Sequence, residues 1–240
     1  MAPSPRWSPS GTCRPRPRER RLTWSGFLRD GQQFLPILLQ GVWVTIAVTL
    51  CALLLSTALG IVWALMRTSG KRWLEWPAML FTNTIRGIPI LVQLFYIYFV
   101  LPELGVDLNA FQAGVIGLGV AYSAYMGEVF RAGILAVDAG TIEAAESLGM
   151  SRARILTRVV LPQAVRIVLP PYGNNLIMLL KDSSQASVIT VAELSTQARL
   201  IASSTFKNQE VWTMAALLYL CLSIPLIILV ARLEKRFGRR

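Results

Sequence analysis

The chain has 240 residues, 54% of them hydrophobic and 15% charged, with a mean hydropathy of +0.51, a balance too apolar for a soluble domain of this size. It carries a net charge of +11, no histidine, and three well-separated cysteines, Cys13, Cys51 and Cys221. Those counts exclude Ser-His-Asp and Cys-His catalytic pairs, an H-E-x-x-H zinc helix and an imidazole proton relay, and they give no basis for a disulfide or metal framework.

Residues 1–30 read as an Arg/Pro-rich disordered tail, since seven arginines and five prolines fall within residues 1–29 and no apolar periodicity accompanies them. The apolar run that follows is too long for the core of a signal peptide. Residues 31–236 read as one membrane domain, and 237–240 as a basic cytoplasmic end. A spanning helix needs about 20 mostly apolar residues. No charge falls between Asp30 and Arg67, so the first span lies within about 36–66 and is tilted or overhangs the bilayer. The second covers roughly 77–100, interrupted at Arg86-Gly87-Ile88-Pro89, with Tyr96, Tyr98 and Phe99 suited to an outer aromatic belt. The third, Leu108 to Gly127, is uncharged. Glu128 and Arg131 follow it at a spacing that lets them pair on a helix, which reads as a structural charge pair.

A polar island, about 138–160, comes next. Thr141 is placed to cap a short helix with Glu143 in its first turn, and Gly149 supplies a left-handed stop. Ser151 is placed to cap the following helix. On the first helix Ile142, Ala145 and Leu148 form a narrow apolar stripe suited to a groove on another protein. The fourth span, about 161–180, is expected to be broken by Arg166 and Pro170-Pro171, and the fifth runs from Val211 to Ala231. Basic residues follow spans one, three and five, which puts those connections, and the island, on the cytoplasmic side. The arginines of residues 1–29 then fall outside, against the same rule. A disordered tail, a misplaced start, and a first span that does not cross as drawn each account for this.

The island reads EAAESLGMSRARILTRVVLP over 143–162, and this run, with Glu143, Ala144, Ala145, Gly149, Leu161 and Pro162 in place, resembles the loop by which permease subunits of bacterial ABC importers grip their ATPase. Only Val159 departs from the pattern, at a position where isoleucine is usual. Arg86-Gly87-Ile88-Pro89, LVQLFYIYF at 91–99, the run Glu128 to Gly133, LPQAVRIVLPP at 161–171 and Leu180-Lys181-Asp182-Ser183-Ser184 extend the resemblance over about 36–236, to permeases of the polar amino acid uptake family, the histidine/glutamine/arginine type. The resemblance implies an all-α integral membrane fold of about five transmembrane helices with a cytoplasmic coupling helix, the type I importer permease fold. It also implies a multi-pass subunit of the bacterial cytoplasmic membrane that moves a polar amino acid or similar small zwitterion. Its partners would be a second permease as homodimer or heterodimer, two ATPase copies and an extracytoplasmic solute-binding protein. No cofactor is then expected on this chain, with ATP and Mg held by the ATPase subunits, and the sequence has no G-x-x-x-x-G-K-[ST] loop of its own.

For the substrate path, Lys181 and Asp182 offer the opposite charges a zwitterion needs, with Ser183, Ser184, Asn175 and Gln93 as polar companions. The same two charges read equally as an interfacial anchor. Gln93 reads also as an interhelical hydrogen bond. An opine or compatible solute is the alternative cargo. A secondary transporter is a weaker alternative, since no repeat or intramembrane carboxylate cluster stands out. The positive charge lies mainly in the tail and at inner membrane faces, which points to lipid headgroups and not to nucleic acid.

Overall fold

Long runs of Leu, Val, Ala and Ile become helices here because a helix satisfies its backbone amides within its own segment, as hydrocarbon surroundings demand. In the computed structural model, which describes residues 24–237, every regular element among the described residues is helical. Of the segment expected to be a tail, residues 1–23 lie outside the described residues, whereas 24–30 are helical, as the start of the first helix, so the disordered reading does not extend to residue 30.

Helix α1 (Trp24–Arg67) has 44 residues. At 1.5 Å per residue it is about 66 Å long, twice the hydrocarbon thickness of about 30 Å, so it overhangs the membrane as its uncharged length predicts. Helix α2 (Arg72–Gly87) and helix α3 (Ile90–Phe95) meet at a bend of 103°. The expected second span is therefore an elbow and not one straight crossing. Ile88 is extended there, and Pro89 both disfavours helix in the residue before it and lacks the N–H that would continue α2. A π-helical turn, Tyr96–Val100, and a 3-10 turn, Leu101–Leu104, extend α3. Helix α4 (Ala110–Leu135) starts on a capping box, in which Asn109 accepts from the Gln112 amide and Gln112 accepts from that of Asn109.

The polar island folds as α5 (Ala139–Ser147) and α6 (Arg152–Ile155). A π-helical turn, Leu156–Val160, then leads into α7 (Leu161–Asp182). The fourth span was expected to break at Pro170-Pro171, yet α7 is one helix across both prolines. The cost of stranding amides in an apolar setting outweighs the prolines' local preference, because α7 is packed between α4 and α9. After a 3-10 stretch, Ser183–Ile189, come α8 (Leu194–Thr205), a helix the span reading had not resolved, and α9 (Asn208–Phe237).

Three of these helices are long and apolar enough to cross a membrane, within α1, α4 and α9, or four if the α2–α3 elbow counts as one. Helix α7 falls short on composition, being diluted by Gln163, Arg166, Asn174 and Asn175, although its 22 residues reach about 33 Å. A polar helix of that length is tolerated where neighbouring helices cover it.

Helices α1 and α4 run parallel at very short range. A Cβ on Gly60 would lie 2.8 Å from the Met126 Cβ and 3.1 Å from the Gly127 amide nitrogen, so the two backbones meet through glycine. One core cluster joins Val48, Leu94, Leu118, Tyr122 and Leu179, and a second pins α8 between α1 and α9 through Phe34, Leu38, Leu194, Ala198 and Val211. The C-terminal ends of α1, α4 and α9 and the start of α7 share one end of the bundle. Arg67, Arg131, Arg152, Arg232 and Lys235 lie there, which marks it as the cytoplasmic end.

Candidate functional site

The island forms a two-helix knuckle at that basic end. Asp138 caps α5 by accepting from the Thr141 amide at 3.0 Å, which corrects the expected cap at Thr141 and moves Glu143 out of the first turn. Gly149 closes the helix at φ +70°, its amide bonded to the Glu146 carbonyl at 2.9 Å, a backbone state that side-chain-bearing residues rarely adopt. Ser151 sits at the next cap position, with its carbonyl, and not its side chain, accepting from Ile155.

The knuckle is seated on a small core of its own: Val137, Ala145, Ile155, Val160 and Ala164, with Ile142 and Met150 against them. This splits the expected apolar stripe. Ile142 and Ala145 pack on the parent fold, while Leu148 is 82% exposed. From Glu143 to Leu148 the exposed residues are Glu143, Ala144, Glu146, Ser147 and Leu148, small and acidic side chains around an exposed leucine. Leu161 and Pro162, at the start of α7, are exposed as well.

Glu128 and Arg131 pair as their spacing predicts, and Arg67 of α1 joins them: both guanidinium groups donate to the Glu128 carboxylate. The missed partner was legible only as the last basic residue before a polar connection. Its effect is to tie the cytoplasmic ends of α1 and α4 together just before the island begins.

The candidate path residues lie toward the other end and do not converge as one cluster. Asp182 accepts a 2.7 Å hydrogen bond from the hydroxyl of Tyr122, a residue of α4 that sequence reasoning did not select. Asn175, two turns earlier on α7, points its amide nitrogen at the Met126 sulfur, 3.8 Å away, so both polar groups sit on the face of α7 that meets α4. Lys181 is exposed and makes no ion pair with Asp182; adjacent helical positions do not face each other. Ser183 and Ser184 donate back to the carbonyls of Leu180 and Lys181.

Gln93 has a different task. The carbonyl of Ile85 would ordinarily receive the amide of residue 89, which is Pro89, and the carbonyl of Ile88 lies just past the end of α2. The Gln93 side-chain amide donates to both at 2.8 Å. It braces the elbow rather than facing an open path. Arg86, read from sequence as a group that snorkels or serves freed carbonyls, instead stacks its guanidinium 5.6 Å from the centre of the Tyr125 ring.

A second buried polar group escaped the sequence reading. Glu193, fully buried at the start of α8, accepts from the Thr196 amide and from the Tyr219 hydroxyl of α9, and Tyr219 also meets Ser195. Burial pushes the Glu193 carboxyl above the usual carboxylate range, against the lowering effect of those donors. Beside it the Leu194 amide donates to Thr45 of α1 at 3.2 Å, and Lys207 pairs with Asp30. Together these contacts fasten α8 across the outer ends of α1 and α9.

Comparison with known proteins agrees with this architecture. The family model of the binding-protein-dependent transport system inner membrane component matches residues 56–239. A probable amino-acid ABC transporter permease of Sinorhizobium fredii is 39% identical over 218 residues, 91% of this chain and 94% of that protein. A probable glutamine ABC transporter permease of Bacillus subtilis is 40% identical over 201 residues, 84% and 93% of the two chains. Among solved structures, that of an amino acid ABC transporter with histidines superposes with a TM-score of 0.82 at 36% identity, covering 90% of this chain and 99% of the other. The chain therefore belongs to the family of binding-protein-dependent transport system inner membrane components, as a non-catalytic permease subunit with the type I ABC importer fold.

Proposed function

We propose that this permease carries a polar amino acid or similar small zwitterion across the bacterial cytoplasmic membrane. It works in an assembly of two permease subunits, two ATPase subunits and an extracytoplasmic solute-binding protein. ATP and Mg are bound and used by the ATPase subunits. The observation that carries the reading is the knuckle of α5 and α6: a short helix seated on its own core, closed by Gly149 at positive φ, with Glu143, Ala144 and Leu148 turned outward at the basic end of the bundle. That face fits a groove on a partner, and the rigid seat lets movement of the partner reach α7 through the π-helical turn that joins α6 to it.

The relatives named for amino acid and glutamine transport support the cargo class. The Tyr122–Asp182 pair is the best-placed feature for recognising the ammonium group of a zwitterion, because its carboxylate is only half-buried and held by a single hydroxyl. Asn175 extends the same face.

The test is transport in sealed proteoliposomes holding the permease with its co-purified ATPase, supplied with the binding protein and a panel of labelled cationic, neutral and acidic amino acids. Uptake that requires internal ATP and binding protein is the expected result. Uptake driven by an ion gradient without ATP would replace the reading with that of a secondary transporter.

A further inference from the structure

Helices α1, α4 and α7 leave a groove on the cytoplasmic half of the bundle, with a volume of about 550 Å³. Ile61 and Leu65 of α1, Phe130 and Ile134 of α4, and Val165 and Val168 of α7 line it, and a hydrogen bond between Thr57 and Tyr172 lies at its inner end. A lining this apolar cannot replace the hydration of a zwitterion, so the groove is no part of the substrate path. Its walls remain open to the side: Ile61, Leu65, Leu161 and Val165 are 45 to 54% exposed.

A charge stands on its rim. Arg166 lines a second hollow with Leu161, Val165, Leu169 and Leu233, and three of those residues also line the groove. Arg166 is exposed and makes no ion pair among the described residues. An unpaired arginine within an apolar stretch needs an anion or a route to water. Helical side chains lean toward the N-terminus of their helix, which for α7 is the cytoplasmic end, so the guanidinium is directed to the level of the inner headgroups. From that level, near Leu161, to Tyr172 is eleven residues, roughly 16 Å, which is half the hydrocarbon thickness and therefore the depth of one leaflet.

We propose that the groove is a binding site for an anionic phospholipid of the cytoplasmic leaflet, with the phosphate on Arg166 and one acyl chain lying between α1, α4 and α7 up to the Thr57–Tyr172 contact. The lipid covers the apolar walls next to Leu161 and Pro162 and completes the packing behind the coupling knuckle. The site is separate from solute recognition and from the docking face of α5.

The permease is purified from its membrane with its partner subunits, washed in mild detergent and loaded with phosphatidylglycerol or phosphatidylcholine, and the lipids retained on each permease are counted by native mass spectrometry. Wild type is expected to hold one phosphatidylglycerol and to prefer it to phosphatidylcholine. Arg166→Gln should lower the affinity for phosphatidylglycerol about fivefold, the worth of one basic side chain at an anionic lipid surface. Arg166→Lys should keep most of that preference, which separates loss of charge from loss of fold. Val165→Trp, at a half-exposed position, should fill the groove and displace both lipids while the complex elutes unchanged. Equal retention by wild type and Arg166→Gln, or an undiminished lipid count in Val165→Trp, overturns the proposal. So does disulfide cross-linking of Val165→Cys to a second permease, which would assign the groove to the subunit interface.

Discussion

Replacing Gln93 with methionine tests whether the elbow between α2 and α3 is held by one side chain. Methionine keeps the length and most of the volume of glutamine, so packing changes little and the amide is what is lost. Two carbonyls, of Ile85 and Ile88, each lose a 2.8 Å donor at a residue only 8% exposed. Neither has a simple substitute, since residue 89 is proline and the Val92 amide is already bonded to the Pro89 carbonyl. An acceptor left without a donor costs about 1–3 kcal/mol when buried, and with Ile85 half-buried and Ile88 exposed the pair together amounts to about 1–3 kcal/mol, toward the lower figure if a water molecule enters. Equilibrium unfolding of the purified permease in mixed micelles of detergent and SDS reads this difference directly. The transport KM of the folded fraction should stay at its wild-type value. Stability unchanged to within about 0.5 kcal/mol, together with a raised KM, would refute the reasoning and make Gln93 a group that touches solute.

Reversing the exposed charge in Glu143→Lys should leave the permease inserted and folded but reduce recovery of its ATPase in a pull-down by at least about tenfold, as like charge at a docking face does; equal recovery would remove Glu143 from the contact. Gly149→Pro should abolish ATP-driven uptake, because proline is fixed near φ −65° and the native value is +70°; uptake at the normal rate would show that the closing turn is dispensable. Asp182→Asn should raise KM across the amino acid panel with complex assembly intact, whereas an unchanged KM assigns Asp182 to anchoring through Tyr122. For Glu193 the sign follows from its raised folded value: the folded state binds the proton more tightly than the unfolded chain, whose carboxyl titrates at about 4.3. Stability from this group is present in full below that range and falls as pH rises through the folded value, so Glu193→Gln should flatten the slope of unfolding free energy against pH; an unaltered slope would mean that folding leaves the titration of this carboxyl where it stands in the unfolded chain.

What could be read from the sequence was what repeats or what a single residue forces. Uncharged runs gave α1, α4 and α9 because membrane length and apolarity are summed over about 20 residues and tolerate local exceptions. Gly149 was legible as a stop because only glycine occupies that backbone state freely, and the Glu128–Arg131 pair because its spacing is local. Each failure involved a contact across the fold. Thr141 looked like a cap until Asp138, three residues earlier, proved free to turn back onto its amide. The double proline of α7 predicts a break for an isolated helix, but α4 and α9 on either side make an unbonded amide dearer than a strained turn. The stripe Ile142, Ala145, Leu148 has the right period for a docking face, and period alone cannot say which part of it the protein's own core will take. Here Val137, Ile155 and Val160 claim the first two residues and leave Leu148 outside. Glu193 is illegible for a similar reason: a lone carboxylate between Ala192 and Leu194 has no local signature, and its partner Tyr219 meets it only when α8 is laid against α9. The polar residues that mattered most to the architecture, Gln93, Arg67 and Glu193, are those whose hydrogen bonds link separate elements. In a membrane protein such residues mark where the helices must meet, since a polar group without a partner is costly there.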